Sequence, residues 1–236
     1  MADTMHSSRA TALEGDGNGP AYTRDNGHKI TGIPDSLCGI TSCNFGKTHV
    51  ESAKIFLESG VKWIQYREKS APIRNMIHDA LEIKALCEQY GAKLTIDDRL
   101  DVALAVNADG LHLGQEDMQI DMARAHFHGM IGVSAYSLQE AVKAQEDGAD
   151  YIGLISFYPS RTKADAKYIT RDAFAEIRAN IRIPIVAIGG ITIENMDELV
   201  RLGADGIAVI GGVLRMPDPH MAAKSMLGKL NGARRQ

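Results

Sequence analysis

Apolar and polar positions alternate along this chain in two registers. Short apolar runs recur from Leu37 onward: "LCGIT", "KWIQY", "AKLTI", "DGLHL", "MIGVS", "YIGLI", "PIVAI" and "GIAVI". Runs of this length, bounded by Gly, Asp or Pro, read as buried strands. Between them lie stretches whose apolar residues return every three or four positions, such as "THVESAKIFLESG", "IRNMIHDALEIKALCEQYG", "LQEAVKAQEDGA" and "IENMDELVRLGA". These predict helices that bury one face. Three joints nearly repeat, "NADGLHL", "GADYIGL" and "GADGIAV". In each, a small residue ends a helix, an Asp turns the chain and an apolar strand begins.

Eight strands with helical crossovers imply a parallel sheet, and the expected fold is α/β, a (β/α)8 TIM barrel forming one domain over residues 36–232. An open doubly wound sheet is the runner-up. It would usually show fewer strands and a G-x-G-x-x-G turn after the first, and this sequence has no such turn. Residues 1–35 break the pattern: they are rich in Gly, Asp, Asn, Ser and Thr and have little apolar periodicity. Burial cannot offset the ordering entropy of such a segment, so it is expected to be a disordered arm, removable through about Ile33 without loss of folding or turnover. Asp3, Glu14, Asp16 and Asp25 do not suit a transit peptide.

Composition narrows the function only by exclusion. With 236 residues, 44% of them hydrophobic, the chain can bury one sizeable core, and a net charge of −4 disfavours nucleic acid as a partner. No apolar stretch approaches the roughly 20 residues that span a bilayer, so no membrane partner and a cytoplasmic location are expected. Cys38, Cys43 and Cys87 lack the paired spacing of a zinc site and read as buried free thiols. A homodimer is compatible with the sequence.

In a barrel of this kind the loops that follow the strands gather at one face, where active sites sit. In "WIQYREK", Gln65, Arg67 and Lys69 occupy alternate positions and point the same way, and an Arg fork beside a Lys makes a phosphate grip. A solvated strand end is the plainer reading. Asp98 and Asp117 follow consecutive strands and could share a Mg2+ ion, with helix capping as the alternative. The polar loop "YPSRTKADA" brings Ser160, Thr162 and Lys163 to the same rim. The Gly pairs of "AIGGITIEN" and "VIGGVL" expose amides where barrels often hold a phosphate, although glycines also serve tight turns.

Through "QYREK", "DDRLDVALAVNADGLHLGQED", "GVSAYS", "GADYIG", "YPSRTKADA" and "PIVAIGGIT" the chain resembles the thiamine phosphate synthase family across nearly all of residues 37–214. The resemblance implies a Mg2+-dependent transferase acting on small phosphorylated substrates. It would join a hydroxymethylpyrimidine diphosphate to a thiazole phosphate, releasing diphosphate. Gln65, Arg67, Lys69, Ser134 and Lys163 match positions that hold the pyrimidine diphosphate, and Arg67, Lys69 and Lys163 would take up the charge of its departure. Asp98 and Asp117 match the magnesium ligands, while Ser160, Thr162, Gly190, Ile210 and Gly211 match the thiazole phosphate site. Several positions depart from the family pattern: Asp97 stands where Asn is usual, Tyr136 for His, Ile155 and Ser156 for Gly-Pro, and Gly211 for Ser. Asp97 adds negative charge within the substrate site, so Asp97→Asn is expected to lower the Michaelis constant for the diphosphate. A thiazole tautomerase-like barrel and a non-catalytic phospholigand-binding barrel are the alternatives.

Overall fold

The computed structural model describes residues 22–23, 29–30, 33–155, 157–158 and 169–233. Eight parallel strands close into a barrel in chain order, the last pairing with the first. They are β1 (Leu37–Ile40), β2 (Trp63–Tyr66), β3 (Lys93–Asp97), β4 (Gly110–Leu113), β5 (Met130–Ala135), β6 (Tyr151–Ile155), β7 (Ile185–Ile188) and β8 (Gly206–Val209). Helices α1 (His49–Glu58), α2 (Ile73–Tyr90), α3 (Leu100–Ala105), α4 (Ile120–Arg124), α5 (Leu138–Glu146), α6 (Arg171–Asn180), α7 (Met196–Arg201), α8 (Gly211–Leu214) and α9 (Pro219–Ala233) follow the strands on the outside. This is the expected TIM-like barrel.

Local chemistry sets the helix ends. Thr48 and Glu51 form a reciprocal capping box at α1, the Thr48 hydroxyl accepting from Glu51 N–H and the Glu51 carboxylate from Thr48 N–H. Gly91 ends α2 in the left-handed region at φ 60°. The helix expected from Ile193 starts only at Met196, because the Asn195 side chain accepts from Thr192 N–H and holds the preceding residues in a turn.

Side chains alternate inward and outward along each strand, which gives two cores. Leu37, Ile64, Leu94, Ile96, Leu111, Ile131 and Ile152 face the helices in the larger one. Inside the barrel, Cys38, Ile40, Trp63, Tyr151, Val186 and Ala208 form a separate apolar cluster. Trp63 and Tyr151 meet edge to face with centroids 5.2 Å apart. Gly132 makes room for them, since a Cβ there would lie 1.9 Å from the Tyr151 ring. One step up each strand the inward positions turn polar, with Gln65, Asp97, His112 and Ser134 all buried.

The three repeated joints have a common physical role at the opposite end of the barrel. Asp109 N–H donates to the Leu94 carbonyl while its carboxylate accepts from Leu94 N–H at 3.0 Å. Asp150 does the same with Ile131, and Asp205 with Ile185. A cation from the helix preceding the earlier strand completes each clamp: Lys84, Arg124 and Arg178 respectively. Every clamp thus fastens an even-numbered strand to the odd-numbered one before it.

The packed chain begins before the expected boundary at residue 36. Ile33 packs on the inner apolar cluster, and the Asp35 carboxylate accepts from the N–H groups of Ser36 and Lys62. Removal through Ile33 would strip a contact from the barrel floor. Of the preceding residues, Tyr22–Thr23 and Lys29–Ile30 pair as a short antiparallel ribbon, and the rest of the expected arm lies outside the described residues.

Deletion of residues 1–32 is expected to leave the melting temperature nearly unchanged. Deletion through Asp35 should lower it by roughly 4–8 °C, the shift that about 2 kcal/mol gives in a domain of this size. Equal melting temperatures for the two truncations would mean that Ile33 and Asp35 contribute nothing. A second expectation concerns the clamps. Burial alone would raise the Asp109 carboxyl, but hydrogen bonds from Lys93, Leu94 N–H and Lys84 outweigh it and hold the group below its ordinary value. A depressed carboxylate stabilises the fold above its unfolded value, near 4, and that contribution disappears as pH falls through the folded one. Asp109→Ala should cost about 2 kcal/mol at neutral pH, with the gap to the parent chain closing in acid. A gap independent of pH in denaturant titrations would refute the ionic part.

Candidate active site

The C-terminal ends of the strands surround a cavity of about 760 Å³. Gln65, Arg67, Lys69, Asp97, Asp98, Ser134, Gly190, Ile210 and Gly211 all line it, as do Tyr136 and Ile155. Ser156, Ser160, Thr162 and Lys163 lie outside the described residues.

Asp97 ends β3 pointing inward, only 6% exposed. Gln65 donates to one carboxylate oxygen at 2.6 Å, and Arg67 Nε lies 3.1 Å from the other. Burial pushes the Asp97 carboxyl up to about 7, and Asp98 adds to this while Arg67, Gln65 and Lys69 oppose it. Arg99 N–H bonds to the Asp97 main-chain carbonyl, so the carboxylate does not cap α3. The side chain therefore fixes Gln65 and Arg67 in place.

Asp98 adopts φ 64°, a left-handed backbone that is costly for a residue with a Cβ. Its N–H donates to the His112 carbonyl on the next strand, which holds the strained turn in place. The carboxylate meets Lys69 Nζ at 3.0 Å and the side chain of Asp117. Asp117 also accepts from Gly114 N–H at 2.6 Å. Burial, with Asp98 adding to it, raises the Asp117 carboxyl above its usual range. Helix capping does not account for Asp98, because α3 has no side-chain cap. Two carboxylates brought together with one lysine form an all-oxygen donor set short of positive charge, which fits a hard divalent cation.

On the far side of the cavity, Gly189 and Gly190 both take positive φ, at 109° and 63°. Asn195 donates to the Gly190 carbonyl and fastens that turn. Gly211 opens α8, and the Arg215 guanidinium lies over the Phe45 ring 5.3 Å from its centroid. A Cβ at Gly211 would come within 3.4 Å of Arg215, so this cation stands beside the position where the family pattern has a serine. Arg215 was not singled out from the sequence. Its signal was a cation four residues past Gly211, on the same helical face.

His112 and Tyr151 were also not singled out. His112 bridges the Ser134 hydroxyl at 2.9 Å and the Tyr151 hydroxyl at 2.8 Å. Burial pulls the imidazole down to about 4, so it is neutral at pH 7 and serves as donor to one partner and acceptor from the other. Gln115 donates to the Ser134 carbonyl from the neighbouring loop.

A family model described as thiamine monophosphate synthase matches residues 37–213. The chain belongs to that family. It is thus an enzyme of thiamine phosphate synthesis, and neither the tautomerase-like nor the non-catalytic alternative is favoured. Similar proteins carry the same description. The thiamine-phosphate synthase of Caldivirga maquilingensis is 43% identical over 194 residues, spanning 81% of this chain and 95% of the relative. That of Pyrococcus horikoshii is 46% identical over 181 residues, with 76% and 87% covered. The solved thiamine phosphate pyrophosphorylase from Pyrococcus furiosus superposes with a TM-score of 0.79 at 40% identity, covering 84% of this chain and 96% of that one. Among the described residues of this thiamine monophosphate synthase family member, no helix is long and apolar enough to cross a membrane.

The position of Asp97 reverses the expectation for its substitution. An amide at residue 97 cannot accept from both Gln65 and Arg67, so Asp97→Asn should loosen the grip and raise the Michaelis constant for the diphosphate substrate about tenfold, the scale of one charge-assisted hydrogen bond. Any dependence of turnover on a divalent cation should stay flat, because both carboxylate oxygens are already engaged. A lowered Michaelis constant would show that charge repulsion outweighs positioning.

Proposed function

We propose that the cavity condenses 4-amino-2-methyl-5-(diphosphooxymethyl)pyrimidine with thiazole phosphate, giving thiamine phosphate and diphosphate with Mg2+ as cofactor. The observation that carries this reading is the Asp98–Asp117 pair beside Lys69, next to Arg67 on Asp97. Neither a proton-transfer isomerase nor a simple phosphate binder needs that concentration of opposite charges.

On this reading, Gln65, Arg67, Lys69, Ser134 and Lys163 hold the pyrimidine diphosphate. The C–O bond at the pyrimidine methylene breaks and its electron pair leaves with the diphosphate. The aminopyrimidine ring stabilises the carbocation, and the thiazole nitrogen lone pair closes the new C–N bond. Arg67, Lys69 and Lys163 neutralise the departing group and keep the partners aligned, which supplies most of what such a reaction requires of a protein. Asp98 and Asp117 would hold Mg2+, which adds charge neutralisation to the diphosphate oxygens. The neutral His112, tied to Tyr151, orients the Ser134 hydroxyl toward the pyrimidine. Ser160, Thr162, Gly190, Ile210 and Gly211 take the thiazole phosphate, and Arg215 supplies a cation there in place of the missing serine hydroxyl. Three unpaired cysteines go with a cytoplasmic setting.

Both substrates mixed with the protein and Mg2+ should yield thiamine phosphate and diphosphate in equal amounts, and chelation should stop the reaction. Asp117→Asn and Lys163→Ala should each lower turnover by about 100-fold or more while leaving the melting temperature intact. Near-parental turnover of either variant at saturating Mg2+ would remove that residue from the assignment.

A further inference from the structure

One cluster of metal-ligating side chains at the cavity rim has no part in the condensation. Cys43 Sγ, a His49 imidazole nitrogen and a Glu68 carboxylate oxygen lie within 4.8 Å of one another. His49 is buried at the start of α1, Glu68 is half-buried between Arg67 and Lys69, and Cys43 is exposed on the loop after β1.

The surroundings orient two of the three donors. His49 Nδ1 lies 2.7 Å from the Thr41 hydroxyl, which leaves Nε2 facing Glu68 Oε2 at 3.1 Å. The other Glu68 oxygen accepts from Ser70 N–H, the Ser70 hydroxyl and Ala71 N–H, so the free one is aimed at the imidazole. Cys43 Sγ lies within 4.8 Å of both of these donor atoms, at the exposed edge of the same point. Supporting hydrogen bonds of this kind fix the tautomer and direction of metal ligands.

We propose that Cys43, His49 and Glu68 form a site for a borderline-soft divalent cation of the Zn2+ class, separate from the all-oxygen pair Asp98 and Asp117. The 3.1 Å between His49 Nε2 and Glu68 Oε2 suits two bonds of roughly 2.0–2.1 Å to one ion. The sulfur needs to close by only about 1 Å for a bond of roughly 2.3 Å. On binding, the Cys43 thiol loses its proton to solvent. The His49 proton moves to Nδ1, where Thr41 accepts it, and thiolate and carboxylate together balance the double positive charge. A sulfur, nitrogen and oxygen donor set selects Zn2+, Co2+ or Fe2+ over Mg2+, and three protein ligands leave a coordination position open toward the cavity. The ion would fasten the loop after β1 to the segment that carries Arg67 and Lys69.

Cobalt is the direct probe, because only a thiolate ligand gives a near-ultraviolet sulfur-to-cobalt charge-transfer band. Chelator-treated full-length protein titrated with Co2+ in excess Mg2+ should develop this band and strong tetrahedral visible bands, saturating near about one equivalent. Zn2+ should bleach them. Cys43→Ser should abolish the charge-transfer band with an unchanged melting temperature. Glu68→Gln should keep the band but weaken Co2+ binding by about tenfold or more. Asp117→Asn should leave the titration unaltered. The absence of a thiolate band at saturating Co2+ overturns the proposal, as does its survival in Cys43→Ser or its loss in Asp117→Asn.

Discussion

Closing a parallel sheet on itself forces the inward side chains into layers, and the layering of this barrel governs everything built above it. Trp63 and Tyr151 fill the lower interior, a packing that requires the bare backbone of Gly132. Both rings carry a polar tip that must find a partner when buried. Trp63 Nε1 donates to the Thr95 hydroxyl at 2.9 Å, and the Tyr151 hydroxyl reaches upward to His112. The aromatic floor is therefore hydrogen-bonded to the polar layer, and through His112 to Ser134 at the mouth.

The charges at the mouth are arranged as pairs that can exchange partners. Arg67 is held by Asp97 and Lys69 by Asp98, while Asp117 crowds against Asp98. Under the proposed reaction, a cation taken up by Asp98 and Asp117 would release Lys69 to the arriving diphosphate. Arg67 would keep its buried anchor. Each cation is thus positioned before substrate binds, and little ordering is left for the binding step.

What the sequence disclosed follows from distance along the chain. Strand runs, helical spacing and polar rim positions such as Gln65 and Asp98 are local signals, and they placed the fold and part of the cavity lining. Long-range pairings left no local mark. Asp97 read as an intruding charge because its acceptor role depends on Gln65 of the neighbouring strand and Arg67 just past its end. His112 read as one residue of a buried strand, since only barrel closure brings Tyr151 and Ser134 to its two nitrogens. Cys43 was expected to be buried but is exposed on its loop, with His49 and Glu68 brought close by separate elements.

The carboxylate clamps at the barrel floor also bear on the order in which the chain assembles. The side-chain bonds of Asp109, Asp150 and Asp205 close sequence separations of 15, 19 and 20 residues. Loops this short cost little entropy to close, so each βαβ pair can form as a low-contact-order unit with its first ladder bonds already secured. The seam between β8 and β1 joins opposite ends of the described barrel and has no comparable local closure. It is the expensive contact, and the cavity, which draws residues from both sides of that seam, comes into being only once the ring is shut.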